Sequence, residues 1–471
     1  MGEYRRRGRP AGRSGPRPGS KPGAGAPEAG KRPGNRSKVD PSRLAAFDVL
    51  KAVRVEDAYA NLVLPNVLEK HDLNGRDAAF ATELAAGAIR WQGLYDAIID
   101  ANLDKPRLEA KVRDVLRLGV HQLLAMRVPD HAAIATSVEL TRDRVGTGPT
   151  GLVNAVLRKV AAHGMGAWIG QVAPDPARDL TGHLAVATSH PRWVVQRLAD
   201  ALEGHGRSRD EVADLLAADN VSPKVTLVAR PGLVEVDELV EAGAEATGRS
   251  PYALTWGGGD LSEVPALVQG RAGVQDEGSQ RVALAVDEAV VEGRDELWLD
   301  LCAGPGGKTA LLASLAARRG AKVVANEAQH HRAKLVARGV RAAGAGMAGV
   351  LTGDGTQPAW APGTFDRVLV DAPCSGLGAL RRRPESRWRR TEKDVLELVD
   401  LQKALLRNAL DAVRPGGVVV YATCSPVLEE TSGVVEAILA ERDDVTEESR
   451  FQLWPHTDAS DAMFTAVLRR S

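Results

Sequence analysis

Two of the three cysteines in the 471-residue sequence stand in short motifs that could carry covalent chemistry. Cys374 lies in the segment DAPCSG at 371–376, and Cys424 lies in YATCSP at 421–426. Each segment directly follows an apolar run of the kind that forms a buried strand. A buried cysteine is usually a small apolar core residue, and this alternative stays open for either thiol. Two cysteines at strand ends, in a chain that has only three, favour a reactive pair.

A thiol pair of this kind suits reaction at a pyrimidine ring. Carbon 5 of cytosine is a poor nucleophile, but a thiolate that adds to carbon 6 makes the ring an enamine whose carbon 5 can attack a methyl sulfonium. The carbon-5 proton must then leave and the sulfur must be expelled, so a second thiol could help as a base. Asp371 could hold or protonate the nitrogen edge of the ring. Nearby cations should lower the pKa of the attacking thiol, although the sequence assigns no such partner.

A glycine-rich turn predicts a ligand site in the same half of the chain. The segment CAGPGGKT at 302–309 follows the apolar run 297–301 and opens a helical pattern. Such a turn lets the backbone approach a ligand closely. It does not match a P-loop, which needs glycine where Cys302 stands, nor the dinucleotide-binding pattern, which needs glycine where Thr309 stands.

Three acidic residues end the strand-like runs that follow this turn. They are Glu327, Asp354 and Asp371. An acid at such a place can accept hydrogen bonds from ribose hydroxyls. Each acid alone is more often a helix cap or a turn residue, but the ordered set together with the turn favours a cationic nucleoside such as S-adenosylmethionine over a phosphate ligand.

The elements that must position these motifs form an alternating pattern from residue 274 onward. Apolar runs at 297–301, 322–326, 367–371 and 417–421 are separated by segments that are mostly helical. This alternation predicts a doubly wound parallel sheet. Ligands of such sheets bind beyond the carboxyl ends of the strands, which is where the turn, the acids and both cysteines stand.

The N-terminal half predicts a different architecture. Apolar residues at helical spacing, such as Ala46, Val49 and Leu50, indicate an all-α domain over 39–165. A segment rich in Gly, Pro and Asp near 164–182 predicts a linker. Residues 183–270 predict a helical linker and a small α+β module, and a final domain covers 271–471.

Residues 1–38 are strongly basic. They hold eleven Lys or Arg against two Glu, a net charge of +9, which leaves 50 basic and 59 acidic residues, or −9, in the remainder. This composition predicts a disordered tail suited to a polyanion, with a solubilising leader as the alternative. The chain has no run long enough to cross a bilayer and starts without an apolar signal segment, so a cytoplasmic protein is expected. Its odd, widely spaced cysteines fit neither a disulfide framework nor a metal site.

Taken together, the motifs of residues 274–471 resemble the Nop2/Sun family of RNA cytosine-5 methyltransferases. The segment VQDEGSQ at 274–280 also matches a family motif, although Gly278 stands where the family often has alanine. The resemblance implies that Cys424 is the nucleophile and that Cys374 assists product release. DNA cytosine methyltransferases take their nucleophile from the Pro-Cys motif instead, so the Thr-Cys-Ser motif argues for RNA.

The resemblance also implies a catalytic role for Asp371 and S-adenosylmethionine as the cofactor. The cofactor residues that it implies are Cys302, Ala303, Gly304, Pro305, Gly306, Gly307, Lys308, Glu327, Asp354 and Asp371. No metal is expected.

The all-α domain resembles the NusB-like helical RNA-binding domain, on the segments RDAAFATE at 76–83, Arg90-Trp91 and LVNAVLR at 152–158. This pairing is similar to bacterial members of the family that modify one cytosine of 16S rRNA, although the basic tail is not part of their pattern. The expected partner is therefore RNA, and first of all 16S rRNA, with no DNA and no membrane partner, and the enzyme is expected to be a monomer. A tRNA substrate and a non-catalytic RNA-binding factor remain as alternatives.

The fold class implied is multi-domain. An N-terminal all-α NusB-like domain and a small α+β module precede a C-terminal α/β, doubly wound, Rossmann-like methyltransferase domain. Just past Cys374, the segment RRRP at 381–384 with Trp388, Arg389 and Arg390 predicts phosphate neutralisation and base stacking. A solvated basic loop is the alternative.

Overall fold

The computed structural model describes residues 39–104, 107–357 and 359–471. The predicted basic tail at 1–38 lies outside the described residues. No helix within the described ranges is long and apolar enough to cross a membrane.

Among the residues that the structure describes, eleven α-helices precede the first strand. They are α1 (Pro41–Val55), α2 (Ala60–Lys70), α3 (Gly75–Arg90), α4 (Gln92–Ala101), α5 (Ala110–Leu124), α6 (Asp130–Arg144), α7 (Thr150–Val160), α8 (Met165–Val172), α9 (Leu180–Ala187), α10 (Arg192–Gly204) and α11 (Val212–Ala218). The apolar faces of α1 to α8 share one core. The all-α domain predicted from the sequence is therefore present.

Helix α8 occupies part of the segment for which a linker is predicted. Its Trp168 is buried against the preceding helix, and the indole Nε1 donates a hydrogen bond to the Val160 carbonyl oxygen over 2.9 Å. The tertiary contact of one large aromatic ring thus holds a short, glycine-containing helix whose local sequence favours a loop.

The small module holds a four-stranded antiparallel sheet. Its elements are β1 (Thr226–Ala229), α12 (Val236–Glu241), β2 (Ala244–Ala246), β3 (Ala253–Trp256), α13 (Pro265–Val268) and β4 (Ala272–Val274). The strand order is β2-β3-β1-β4. Its composition is the α+β one that the sequence predicts.

A seven-stranded sheet with helices on both faces forms the C-terminal domain. Its elements are α14 (Glu277–Glu288), β5 (Leu297–Asp300), α15 (Gly307–Arg318), β6 (Lys322–Glu327), α16 (His330–Gly339), β7 (Met347–Thr352), β8 (Phe365–Asp371), α17 (Ser386–Arg389), α18 (Glu392–Ala412), β9 (Val413–Thr423), α19 (Ser432–Glu441), β10 (Val445–Gln452), α20 (Pro455–Asp458) and β11 (Phe464–Arg470). The strand order is β10-β11-β9-β8-β5-β6-β7.

The five strands from β7 to β9 are parallel, as predicted, and two antiparallel strands extend the sheet. Strand β11 pairs with β9, and β10 pairs with β11 at the edge. The four aliphatic runs seen in the sequence correspond to β5, β6, β8 and β9. The parallel order places the carboxyl ends of these strands along one edge.

Candidate active site

The pairing of β8 with β9 brings the two cysteine segments together. Asp371 and Ala422 are register partners at the ends of these parallel strands. Beyond the strands, the Ala372 N–H donates to the Ala422 carbonyl and the Gly378 N–H donates to the Cys424 carbonyl, each over 2.9 Å. The loops that carry Cys374 and Cys424 therefore run side by side at the carboxyl edge.

The two thiols lie in direct contact. The Sγ atoms of Cys374 and Cys424 are 3.3 Å apart, so one thiol hydrogen-bonds to the other sulfur. The hydrogen bond from Cys374 lowers the pKa of Cys424, although burial and the Asp371 carboxylate oppose this effect. The same hydrogen bond, with burial, raises the pKa of Cys374 well above its usual value. The pair therefore favours a thiolate at Cys424 and a proton on Cys374.

Two cations complete the environment of this pair. Arg383 and Lys308 both lower the pKa of Cys424 through their charge. Lys308 also bonds Asp371, with Nζ 2.8 Å from Oδ2. Burial lowers the pKa of Lys308, but Asp371 outweighs it and the pKa is raised overall. The cationic partners that the sequence could not assign to the thiolate are therefore found in the structure.

The turn between β5 and α15 needs glycine at two positions. A Cβ atom on Gly304 would overlap Oε2 of Glu327. Gly306 has φ of +109°, and a Cβ there would lie 2.9 Å from the Cα of Val336. At these two positions glycine thus lets the turn pack closely against Glu327 and against helix α16.

The other residues of the turn differ in exposure. Ala303 is buried, and its N–H donates to the Asn326 carbonyl over 2.9 Å. Pro305 and Gly307 are exposed. The thiol of Cys302 is half-buried, and burial raises its pKa well above the usual value. Burial thus disfavours a thiolate at Cys302, whereas the pKa of Cys424 is lowered.

The predicted acids have different surroundings. Glu327 is buried and accepts hydrogen bonds from the Gly304 and Gln329 N–H groups, each over 3.0 Å. Asp354 is exposed and accepts the N–H and the hydroxyl of Thr356 at 2.9 and 2.8 Å, and these bonds lower its pKa. The structure thus places Glu327 against the glycine turn and Asp354 in the loop that follows β7.

Two polar residues of the site carry no functional prediction from the sequence. Asn326 Nδ2 donates to the Leu301 and Gly353 carbonyl oxygens, so it ties the glycine turn to the Asp354 loop. Asp300 is buried, and its Oδ2 accepts the hydroxyl of Thr309 over 2.7 Å. Its Oδ1 has no hydrogen-bond partner among the residues that the structure describes, and burial raises the pKa of the Asp300 carboxyl to about 7.

These features fit a cationic nucleoside. Gly307 at the start of α15 is exposed, and Glu327 accepts a hydrogen bond from the turn itself. Helix N-termini and strand ends of this kind are where such ligands bind. The ammonium of Lys308 is already paired with Asp371, which leaves the turn itself without a free side-chain cation for a phosphate.

The arginine-rich segment after Cys374 makes contacts within the protein. Arg381 is buried, and both of its terminal nitrogens donate to the Ala459 carbonyl over 3.1 Å. Trp388 Nε1 donates to the Ile89 carbonyl over 3.2 Å, and Arg389 pairs with Asp57 over 3.0 Å. Trp388 and Arg389 thus join the Cys374 loop to the N-terminal domain, while Arg381 makes its contact within the C-terminal domain. A fully solvated loop does not describe this segment, and the predicted contact with RNA stays a prediction.

The chain matches known sequences and folds along most of its length. A family model described as 16S rRNA methyltransferase RsmB/F matches residues 289–469, and one described as the NusB family matches 40–162. A putative methyltransferase of Mycobacterium tuberculosis is 47% identical over 456 residues, which cover 92% of this chain and 98% of the relative.

Two further similarities extend the comparison. Ribosomal RNA small subunit methyltransferase B of Pseudomonas syringae pv. tomato is 32% identical over 410 residues, 84% of this chain and 86% of that protein. The crystal structure of PH0851 shares the fold with a TM-score of 0.75 and 23% identity, and the match covers 92% of this chain and 99% of that one.

Proposed function

Because the chain belongs to the RsmB/F family of rRNA methyltransferases, we propose that it methylates carbon 5 of a cytosine in 16S rRNA through a covalent bond to Cys424. S-adenosylmethionine is the cofactor, and it supplies the methyl group from its sulfonium. The observation that supports the mechanism is the contact between two thiols whose pKa values are shifted in opposite directions.

Cys424 begins the reaction in this proposal. Its thiolate adds to carbon 6 of the cytosine, and the electron pair of the 5,6 double bond becomes available at carbon 5 for methyl transfer. Asp371, held by Lys308, lies beside the thiols and orients the nitrogen edge of the ring. The turn at 302–308 with Glu327 and Asp354 holds the cofactor on the neighbouring strand ends.

Cys374 acts in the release step. Once the sulfur of Cys424 is bonded to carbon 6 it carries no charge, and the largest cause of the raised pKa of Cys374 disappears. The Cys374 thiol then gives its proton to water more easily, and the resulting thiolate can take the proton from carbon 5 as a base. The electrons of that C–H bond re-form the double bond and expel the thiolate of Cys424.

Substitution of each cysteine tests this division of roles. Cys424→Ala should abolish both methylation and the covalent adduct with RNA, because no sulfur reaches carbon 6. Cys374→Ala should attack and methylate but release slowly, so a denaturant-resistant RNA–protein band should accumulate on a denaturing gel. The reverse pattern would assign the nucleophile to Cys374, and no adduct from either variant would contradict covalent catalysis.

The RNA substrate needs its own measurement. Bisulfite sequencing of total RNA from a deletion strain should show the loss of one 5-methylcytosine mark in 16S rRNA. Loss of a mark in tRNA alone would overturn the rRNA assignment. Purified protein that transfers no methyl group to any RNA would instead support the non-catalytic alternative.

A further inference from the structure

A buried carboxyl group lies between the two cysteine loops. Glu430 follows the Cys424 segment by one short turn, and its side chain is fully buried. Its Oε1 accepts the Ser375 N–H over 2.7 Å, and its Oε2 accepts the Ser375 hydroxyl over 2.5 Å. The residue next to Cys374 is thus held twice by a residue from the other loop.

The neighbour of the second cysteine joins the same network. The hydroxyl oxygens of Ser375 and Ser425 are 3.1 Å apart. The Val427 N–H donates to Ser425 Oγ over 3.3 Å, which fixes that hydroxyl in the Cys424 loop. Because Ser375 gives its single proton to Glu430, Ser425 can donate to Ser375. A continuous set of hydrogen bonds therefore crosses from one cysteine loop to the other.

Helix α18 and strand β9 fix this network from both sides. Gln402 Nε2 donates to the Pro373 carbonyl over 2.9 Å and to Glu430 Oε1 over 3.2 Å. The hydroxyl of Tyr421 donates to the Glu430 carbonyl over 2.7 Å. Glu430 thus has no freedom to move with one loop alone.

Burial of the Glu430 carboxyl is unfavourable for its charged form. Burial raises the pKa of Glu430, and the hydrogen bonds that Ser375 and Gln402 donate to its carboxyl offset only part of that effect. Replacing a buried polar network with apolar side chains of similar volume often costs little stability. Two of the side-chain contacts of Glu430 are with Ser375, which directly follows Cys374 and whose hydroxyl lies 3.1 Å from that of Ser425, the residue after Cys424.

We infer that Glu430 is a positioning residue that holds the Cys374 loop against the Cys424 loop, so that Cys374 reaches the covalent complex in the release step. This inference rests on the proposed function. The side chain of Glu430 does not touch the reacting atoms in this assignment. Its charge raises the pKa of Cys374, and its contacts set the position of one sulfur relative to the other. A displacement of about 1 Å can lower a rate by up to about 100-fold.

The test compares Glu430→Ala, Glu430→Gln and the control Glu429→Gln in the full chain. Glu429 is the adjacent carboxylate, and it is half-exposed and paired with Arg197. Glu430→Ala should lower kcat by about 10- to 100-fold with little change in the KM for RNA, and should accumulate the covalent RNA band. Glu430→Gln should restore most of the turnover, since its amide can accept from the Ser375 N–H and donate to the hydroxyl. Glu429→Gln should behave as wild type.

Each result has a defined meaning. A Glu430→Ala protein that turns over normally, or loses methylation and adduct together while folded, would overturn the inference, as would an equal defect in Glu429→Gln. If Glu430→Ala does not fold, Ser375→Ala decides, because it removes the two hydrogen bonds of the Ser375 hydroxyl and should still accumulate adduct. Normal release by that variant would refute the positioning role. If Cys374→Ala itself forms no adduct, the proposed function fails, whatever Glu430 does.

Discussion

Asp300 shows how a single residue at the cofactor turn can link pH to stability. Its carboxyl is buried at the end of β5, and burial raises its pKa from 3.8 to about 7. A carboxyl whose folded pKa exceeds its unfolded pKa stabilises the fold while it is protonated. That contribution is fully present below about pH 4 and is lost as the pH rises to about 7.

The substitution Asp300→Asn should remove this pH dependence. Asparagine keeps an oxygen for the Thr309 hydroxyl but cannot ionise. Over the window from about pH 4 to about pH 7 the wild type should lose up to about 4 kcal/mol more stability than the variant, measured by denaturant unfolding without cofactor. Asp354→Asn is the control and should keep the wild-type slope, because that exposed carboxyl titrates below the window. Equal slopes in wild type and Asp300→Asn would contradict the prediction.

The sequence predicts the functional residues that directly follow strands. It misses residues that are brought to the site only by the folding of loops. Cys374 and Cys424 could be found because each follows an aliphatic run. The parallel register of β8 and β9 then brings the two strand ends side by side. The sequence marks Arg383 only as part of a basic segment for RNA, and it gives no signal for Glu430, because their proximity to the thiols depends on how loops fold back. Asn326 left a weak signal, a polar amide inside an aliphatic strand, which is unusual for a buried parallel strand.

Whole strands and helices, like single residues, are predictable only where the sequence itself carries a pattern. Strands β5, β6, β8 and β9 are continuous aliphatic runs because both of their faces are covered, and such runs are visible in a sequence. Strand β10 has the sequence VTEESRFQ and lies at the sheet edge, where charged side chains are common and no apolar period appears. Helix α8 was hidden by its glycines, and only the burial of Trp168 in the folded domain reveals it.

Helix α17 and the residues around it form the element that joins the N-terminal domain to the Cys374 loop. Trp388 lies against the start of α4, where a Cβ on Gly93 would overlap the indole ring. Arg389 stacks over the Tyr59 ring, 4.9 Å from its centroid. Arg387 is fully buried and donates to Asn220 over 2.8 Å. The segment that the sequence assigns to RNA thus serves the contact between domains.

A methyl group at Gly93 should disturb this junction. Gly93→Ala should lower the free energy of unfolding by about 1 to 3 kcal/mol through overpacking against Trp388. The same substitution at Gly170, in α8 with open space around it, should be neutral or stabilise by up to about 1 kcal/mol. A double-mutant cycle with Trp388→Ala checks the cause, because Gly93→Ala should cost little once the ring is gone. An undiminished cost in that background would place the effect elsewhere.

Helices α10 and α11 pack against the C-terminal domain. They share a core with residues that belong to the C-terminal domain: Leu377, Leu380, Val395, Val427 and Trp454. His205, just after α10, also lies 3.2 Å from the hydroxyl of Thr431. The predicted domain limit at residue 271 therefore divides one apolar cluster in two. Strand β4 would also lose its partner β1 if the chain began there.

Two truncated proteins should show how much helices α10 and α11 stabilise the domain that carries the cofactor site. The predicted cofactor residues all lie within 302–371, so both a 183–471 and a 271–471 fragment contain them. The 183–471 fragment keeps the shared cluster and should fold and bind S-adenosylmethionine in calorimetry. The 271–471 fragment uncovers five large apolar side chains, each worth roughly 1.5 to 3 kcal/mol when fully buried. It should therefore unfold at a lower denaturant concentration, and equal midpoints for the two fragments would show that α10 and α11 contribute no stability to the site.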